Sequence, residues 1–211
     1  MHVPTAFRPP SPDDVADLIR MRPLATLVVN GQDGPIAAHA PLAARFSDDG
    51  RLVELVGHVA RANPFWRAAD GAVALAIFSG PDAYVSPGYY PSKADHGRVV
   101  PTWNYCRVEA RGPVALIENP ECLRAVVERL TAMMETPRAA PWSVDDAPED
   151  YVKAMLGAIV GLRIDVVAVD GAWKFSQNKN AGDRAGVAAG LLGDGHDAVA
   201  ALTSQMARMK P

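Results

Sequence analysis

The side chains able to do chemistry fall in three segments far apart in the chain. The first is Gly57-His58-Val59-Ala60-Arg61-Ala62-Asn63-Pro64. His58, Arg61 and Asn63 follow an apolar, strand-like run, just where Pro64 opens a helix. A helix N-terminus beside an arginine suits an anion such as a phosphate, because free backbone N–H groups and a guanidinium converge there. The same residues have a plainer use, with Asn63 as a helix cap and Arg61 in solvent. The second segment, 84–105, holds Trp103 and four of the five tyrosines, interleaved with Lys93, His96 and Arg98. Aromatics beside cations line a planar ligand, stack at a subunit interface, or simply pin a surface loop. The third segment is a row of hydrogen-bonding side chains: Lys174, Ser176, Gln177, Asn178, Lys179, Asp183 and Arg184. Such a row holds a polyol or phosphate, or forms a polar turn before a helix capped by Asp183.

Other chemistries find less support. No G-x-G-x-x-G follows a strand, and there is no Walker lysine loop and no G-x-S-x-G elbow. The five histidines are His2, His39, His58, His96 and His196. None forms H-E-x-x-H or a pair at ligand spacing on one helix. A site assembled in space from His39, His58 and His96 would lack evident carboxylate support, so no metal is expected. Tyr90 and His96 are the candidates for a proton donor if the protein is an enzyme. The two cysteines, Cys106 and Cys122, make neither a disulfide framework nor a metal cluster; both read as small core residues in a reducing cytoplasm.

Charge and hydropathy narrow the partners. The formal net charge is −3, whereas a module that binds DNA by itself usually carries a basic face. No apolar run approaches the roughly 20 residues that span a bilayer. Met1-His2-Val3-Pro4 does not begin a signal peptide. A cytoplasmic protein without membrane contact is expected.

The elements that must position these groups can be traced by pattern. Ser11 caps a first helix, with Pro12 at its first position, Asp13 and Asp14 at the positive end of its dipole, and Val15, Leu18 and Ile19 on its apolar face. Leu24 to Val29, Ile36 to Phe46 and Leu52 to Val59 read as strands joined at Asn30-Gly31, Asp33-Gly34 and Asp48-Asp49-Gly50. Pro64 opens a short helix, and Ala72 to Phe78 is a strand buried on both faces. Gly80 to Pro101 reads as a long functional loop. Strands over Thr102 to Ala110 and Val114 to Ile117 flank Gly112-Pro113. Helices run from Asn119-Pro120-Glu121 to Met134 and from Glu149 to Ile159. Gly161 to Val169 is a strand, and Asp170-Gly171 turns it tightly into Trp173-Lys174-Phe175-Ser176. From Asp183 onward the chain is helical, ending in Asp197 to Met209. Six or seven mostly antiparallel strands with helices between some of them make an α+β chain built on a barrel; a doubly wound nucleotide fold is disfavoured.

In order and in kind, these segments resemble the PaiB-type family of FMN-binding negative transcriptional regulators. The matching stretches are His58-Val59-Ala60-Arg61-Ala62-Asn63-Pro64, Gly80-Pro81-Asp82-Ala83-Tyr84-Val85-Ser86-Pro87, Tyr90-Pro91-Ser92-Lys93 and Val100-Pro101-Thr102-Trp103-Asn104-Tyr105. Trp173-Lys174-Phe175-Ser176-Gln177-Asn178 and Asp183-Arg184-Ala185-Gly186-Val187 complete them, with Pro4, Phe7 and Leu24-Ala25-Thr26-Leu27 also fitting. The resemblance reaches to about Leu191. It implies a mostly antiparallel FMN-binding split β-barrel with peripheral helices over 1–191 and a helical extension over 192–211. It also implies a homodimer with FMN at the interface, in a fold shared with pyridoxamine-phosphate oxidases and flavin reductases. Carried over by position, Arg61 meets the FMN phosphate with His58 and Asn63 nearby, and Thr26 and His39 line the ribityl or ring region. Trp103 and Asn104 lie near the dimer interface. Lys174, Ser176, Gln177 and Asn178 close the site, either from the same subunit or from its partner. The resemblance points to a regulator, although the acidic charge and the lack of an evident helix-turn-helix argue against direct DNA contact. The alternatives are a flavin-dependent oxidoreductase acting on a small molecule and a flavin-binding module without chemistry of its own.

Overall fold

The computed structural model describes residues 2–208. Helix α1 (Pro12–Met21) starts where the Ser11 hydroxyl accepts the Asp14 N–H at 3.2 Å, and it buries Ala16, Leu18 and Ile19. Strands β1 (Leu24–Gly31) and β2 (Gly34–Phe46) form a hairpin in register Thr26↔His39 and Gly31↔Gly34. Gly34 sits at φ 122°, a conformation that an L side chain resists. Then follow β3 (Leu52–Ala60), the short helix α2 (Phe65–Ala69), β4 (Val73–Val85), the single turn α3 (Lys93–His96) and β5 (Thr102–Ile117). Helices α4 (Pro120–Glu135) and α5 (Glu149–Gly157) precede β6 (Ile159–Asp165) and β7 (Ala168–Lys174). Helices α6 (Ala181–Gly193) and α7 (Asp197–Arg208) come last.

The strands run in the order β4-β1-β2-β3-β6-β5-β7, and β4 also pairs with β5. The pairings of β1 with β2 and β4, of β3 with β2 and β6, and of β5 with β6 are antiparallel. The expected α+β class with an antiparallel barrel is what the chain forms. Close strand approach explains one glycine: a Cβ on Gly112 would lie 1.9 Å from the Asp165 carbonyl oxygen, so only glycine fits that point of β5.

The chain divides into two compact units. One comprises Ala16–Phe78 and Glu109–Asp170; the other comprises the N-terminal stretch to Val15, Ser79–Val108 and everything from Gly171 on. In the first, Leu27, Val29, Leu42, Leu55, Leu162 and Ile164 are buried, and α4 lays Val126 and Leu130 on Ala43 and Val56. In the second, Val85, Val108, Phe175, Val187 and Leu191 are fully buried.

Several local expectations give way to tertiary structure. β4 runs on through Gly80-Pro81 to Val85, shortening the expected loop. The two strands expected around Gly112-Pro113 are one 16-residue strand. Asp170-Gly171 lies inside β7 rather than at a hairpin turn, and β7 borders β5 rather than β6. Helix α5 stops at Gly157, because Ile159 already pairs with Ala60. Asn180, not Asp183, caps α6, its side chain accepting the Asp183 N–H at 2.8 Å. Cys106 is buried as expected, but Cys122 is exposed on the first turn of α4. The expected end of the last helix, Met209, lies outside the described residues.

Candidate functional site

Strand periodicity builds the first half of the site. Ala25, Leu27 and Val29 of β1 point inward, which turns Thr26 and Val28 to the opposite face. On β2, Ala38, Ala40 and Leu42 are buried while Ala37, His39 and Pro41 are exposed. The register places Thr26 beside His39 and Ile77, and Val28 beside Ala37 and Leu75. One residue beyond the Leu42↔Gly57 pair, Pro41 and His58 line the same cavity. The β4-β1-β2-β3 strands thus share one face, where Thr26, His39 and His58 lie with the apolar Val28, Leu75 and Ile77; Asn30, Arg45 and Glu54 share it too, and α4 covers its β2–β3 end at Ala43 and Val56. The His58 ring is half-buried, and its Nδ1 is buried with no hydrogen-bond partner. Burial pushes its pKa below the usual histidine range, so the neutral imidazole is favoured at pH 7. Beside it lies a cavity of about 270 Å³ under the second half of α4.

At the end of β3, Arg61 is heavily engaged. Its guanidinium donates to the carbonyls of Gly157 (3.0 Å) and Ile159 (3.1 Å) and to Glu118 (3.1 Å), and its own N–H bonds to the Ala158 carbonyl at 2.8 Å. It holds the end of α5 to the start of β6. Asn63 accepts the Phe65 N–H at 3.0 Å and so fixes the entry to α2.

The other unit gathers the remaining predicted residues. Asn104 is fully enclosed; it donates to the Thr203 hydroxyl and accepts from the Ser176 hydroxyl, both at 3.0 Å. The Thr203 hydroxyl in turn donates a hydrogen bond to the Val199 carbonyl at 2.8 Å. Ser176 holds this place at φ 61°, a left-handed conformation uncommon outside glycine. Gln177 folds back, accepting the Phe175 N–H at 2.7 Å and donating to the Trp173 carbonyl. Lys174 donates to the Thr102 hydroxyl, and burial together with the nearby Lys179 charge pushes its pKa down. Asn178 is exposed. Trp103 is 50 % exposed and meets Tyr84 edge-on, with ring centres 6.1 Å apart. It borders a cavity of about 410 Å³ with Gly80, Asp82, Tyr105 and Arg107. Tyr90 is buried, which raises its hydroxyl pKa, and the Lys179 ammonium lies 5.2 Å from its ring centre. His96 is exposed on α3.

The structure therefore brings Thr26, His39 and His58 onto one face, and Asn104 and Ser176 into one buried chain of hydrogen bonds. Sequence reasoning missed the apolar partners Leu75, Ile77 and Val28, and the cavity residues Met133, Met134 and Trp142. The alternation in β1 and β2 was a signal for the former; nothing local pointed to the latter. Among the described residues no group of three or more His, Cys, Asp or Glu side chains converges as metal ligands. No helix of the described residues is long and apolar enough to cross a membrane.

Antiparallel strands in this order, with peripheral helices, make a split β-barrel. The profile of the family described as "Putative FMN-binding domain" matches residues 1–168, and the chain belongs to that family. It is 32% identical over 187 residues to "Protease synthase and sporulation protein PAI 2" of Bacillus subtilis, covering 87% of this chain and 85% of that protein. Among solved structures, a conserved hypothetical protein of Mycobacterium tuberculosis superposes with TM-score 0.56 at 18% identity, over 82% of this chain and 90% of the other. The FAD and heme binding protein of Mycobacterium smegmatis gives 0.52 at 19% identity, over 79% and 73%. At these identities the two structures speak for the fold alone.

Proposed function

We propose that this chain holds FMN on the face of β4-β1-β2 that carries Thr26 and His39, up to His58 on β3, and works as a cytoplasmic homodimer with a regulatory role of the PaiB type. The observation that carries the placement is the face itself, where the apolar Val28, Leu75 and Ile77 lie beside Thr26 and the exposed His39. A flavin ring needs a flat apolar surface and a few hydrogen-bonding groups; Thr26 and His39 supply them, with His58 at the edge of the site. These residues fit the cofactor. Arg61 and Asn63, at the end of β3, are assigned to the phosphate end; there a phosphate competes with Glu118 for the guanidinium. Trp103, Asn104, Lys174, Ser176, Gln177 and Asn178 are assigned to the dimer side of the site. Trp103 and Asn178 are open to contact, and Asn104, Ser176 and Gln177 shape the backbone that presents them. When bound, FMN supplies hydride and single-electron transfer.

The Bacillus subtilis relative is named for protease synthesis and sporulation, and the resemblance of the sequence motifs supports a regulatory role, with 1–191 as the flavin domain and 192–211 as a helical extension. Charge supports regulation without direct DNA contact. Helices α6 and α7 meet through a three-residue turn with Gly195 at φ 78°, but the charged side chains of α7 are Asp197 and Arg208 alone. A helix that reads DNA needs more cations.

The test is the absorbance spectrum and light scattering of protein mixed with FMN. A bound flavin spectrum on a particle of twice the chain mass is expected; a monomer, or no bound flavin at saturating FMN, refutes the reading. The cavity beside His58 favours a second reading, a flavin-dependent oxidoreductase. Bleaching of the flavin by NAD(P)H, restored by an added acceptor, would select it.

A further inference from the structure

We infer that the cavity beside His58 is a pocket for a small uncharged aromatic molecule bearing a hydroxyl or carbonyl group, the substrate class of the flavin site. The inference rests on the flavin reading for the word substrate, and on the cavity alone for the binding.

The argument begins with an unsatisfied atom. The buried Nδ1 of His58 has no hydrogen-bond partner, and such groups are rare enough in folded proteins to need an explanation. Its ring borders a cavity of about 270 Å³ whose other walls include Leu130, Thr131, Met133, Met134 and Trp142. That volume lies just below the ~300 Å³ at which pockets for drug-sized ligands begin, so it suits a single ring or a compact pair of rings. Besides His58, Thr131 and Glu135 the walls are apolar, and two are thioethers, which adapt their shape and pack well against aromatic edges. Trp142, 47 % exposed, stands at the cavity, and its backbone N–H donates to Glu135 at 3.2 Å. Glu135 also pairs with Arg138 at 3.1 Å.

Charge selects the ligand further. Among the described residues no lysine or arginine lines the cavity, so an anion has no counter-charge there, and the lining carboxylate of Glu135 is already engaged by Arg138 and the Trp142 N–H. This separates the pocket from any site for the FMN phosphate. A neutral imidazole offers either a donor or an acceptor at Nδ1, and a hydroxyl answers both. His58 also shares its face with Thr26 and His39, so a ring in this cavity lies beside the proposed flavin.

The test uses phenol and toluene as probes, titrated by calorimetry and NMR against the full chain with and without saturating FMN. Phenol is expected to bind roughly tenfold tighter than toluene, the worth of one hydrogen bond. His58→Phe should remove that preference and leave toluene unchanged. Thr131→Trp, which fills the cavity, should abolish both. Circular dichroism checks that the variants fold, and the phenol-to-toluene ratio in the unaltered protein stands if they do not. Equal binding of the two probes, or a preference that survives His58→Phe, overturns the inference. Competition between phenol and FMN also overturns it, since the cavity is then the flavin's own, while the flavin reading survives. Phenol binding without any FMN binding sinks the flavin reading and, with it, the substrate assignment.

Discussion

Two polar regions of this protein are built in opposite ways. In one unit, Asn104, Ser176 and Thr203 form a buried chain in which each side chain has protein partners. In the other, Thr26 and His39 stand on one sheet face, and His58, beneath α4, keeps a buried ring nitrogen without a partner. The first arrangement spends its hydrogen-bonding capacity on the fold and so rigidifies a backbone that includes the strained Ser176. The second leaves capacity for a ligand. Motif membership alone does not separate the two, since Asn104 and His58 belong equally to segments that resemble the family.

The largest effect should come from cutting the buried chain. Asn104→Ala strands two enclosed hydroxyls and should lower the unfolding free energy by about 3 kcal/mol in urea denaturation. A change below about 1 kcal/mol would show that the chain is not structural, and the contrast would collapse. Arg61 lies between the two categories. Arg61→Ala should cost about 2 kcal/mol of stability through its lost carbonyl bonds, and should weaken FMN by roughly 1.5–3 kcal/mol if it meets the phosphate. An unchanged FMN dissociation constant with reduced stability would move Arg61 wholly to the structural side. Trp103→Ala should raise the dimer dissociation constant about tenfold if its exposed ring is an interface anchor, as sedimentation would show. Thr26→Val should leave stability within about 0.5 kcal/mol yet weaken FMN by about 1 kcal/mol, the pattern expected of a ligand contact on an open face.

The smallest expected effect is on pH dependence. Burial holds the folded-state pKa of His58 below its ordinary value of about 6.5, which the unfolded chain retains. Between those two values the unfolded chain binds more protons, so stability rises with pH there. The contribution is complete above about pH 6.5 and is lost as the pH falls toward the folded-state value. Urea midpoints at pH 7.5 and 5.5 should therefore differ less in His58→Phe than in the unaltered protein. Equal differences would place the ring in water.

Much of the fold was legible locally. Ser11 and Asn119 cap the helices they were expected to cap, and the hairpin from β1 to β2 follows its glycine turn. The errors have a common form. Gly80-Pro81 and Gly112-Pro113 looked like breaks, yet strands run through both. Asp170-Gly171 looked like a turn and lies within β7. In each case strand pairing overrode local turn chemistry, because ladder hydrogen bonds to a distant partner outweigh a weak local preference. Cys122 misled for a different reason: helical periodicity tells which faces exist, not which is covered.

By itself, the sequence determined the helix caps, most of the strands, and the ordered set of segments by which the chain resembles its family. These depend on neighbours within a few residues, or on residue identities alone. Tertiary structure alone decided that Thr26 faces His39, that Leu42 faces Gly57 and so brings His58 beside Pro41, and that Asn104 meets Thr203, 99 positions along the chain. Register fixes the first two: a slip of one residue would turn every side chain of a strand to the opposite face. Long-range packing fixes the third. Whether a polar side chain is satisfied by the fold or left open for a ligand follows from such contacts, and no local pattern encodes it.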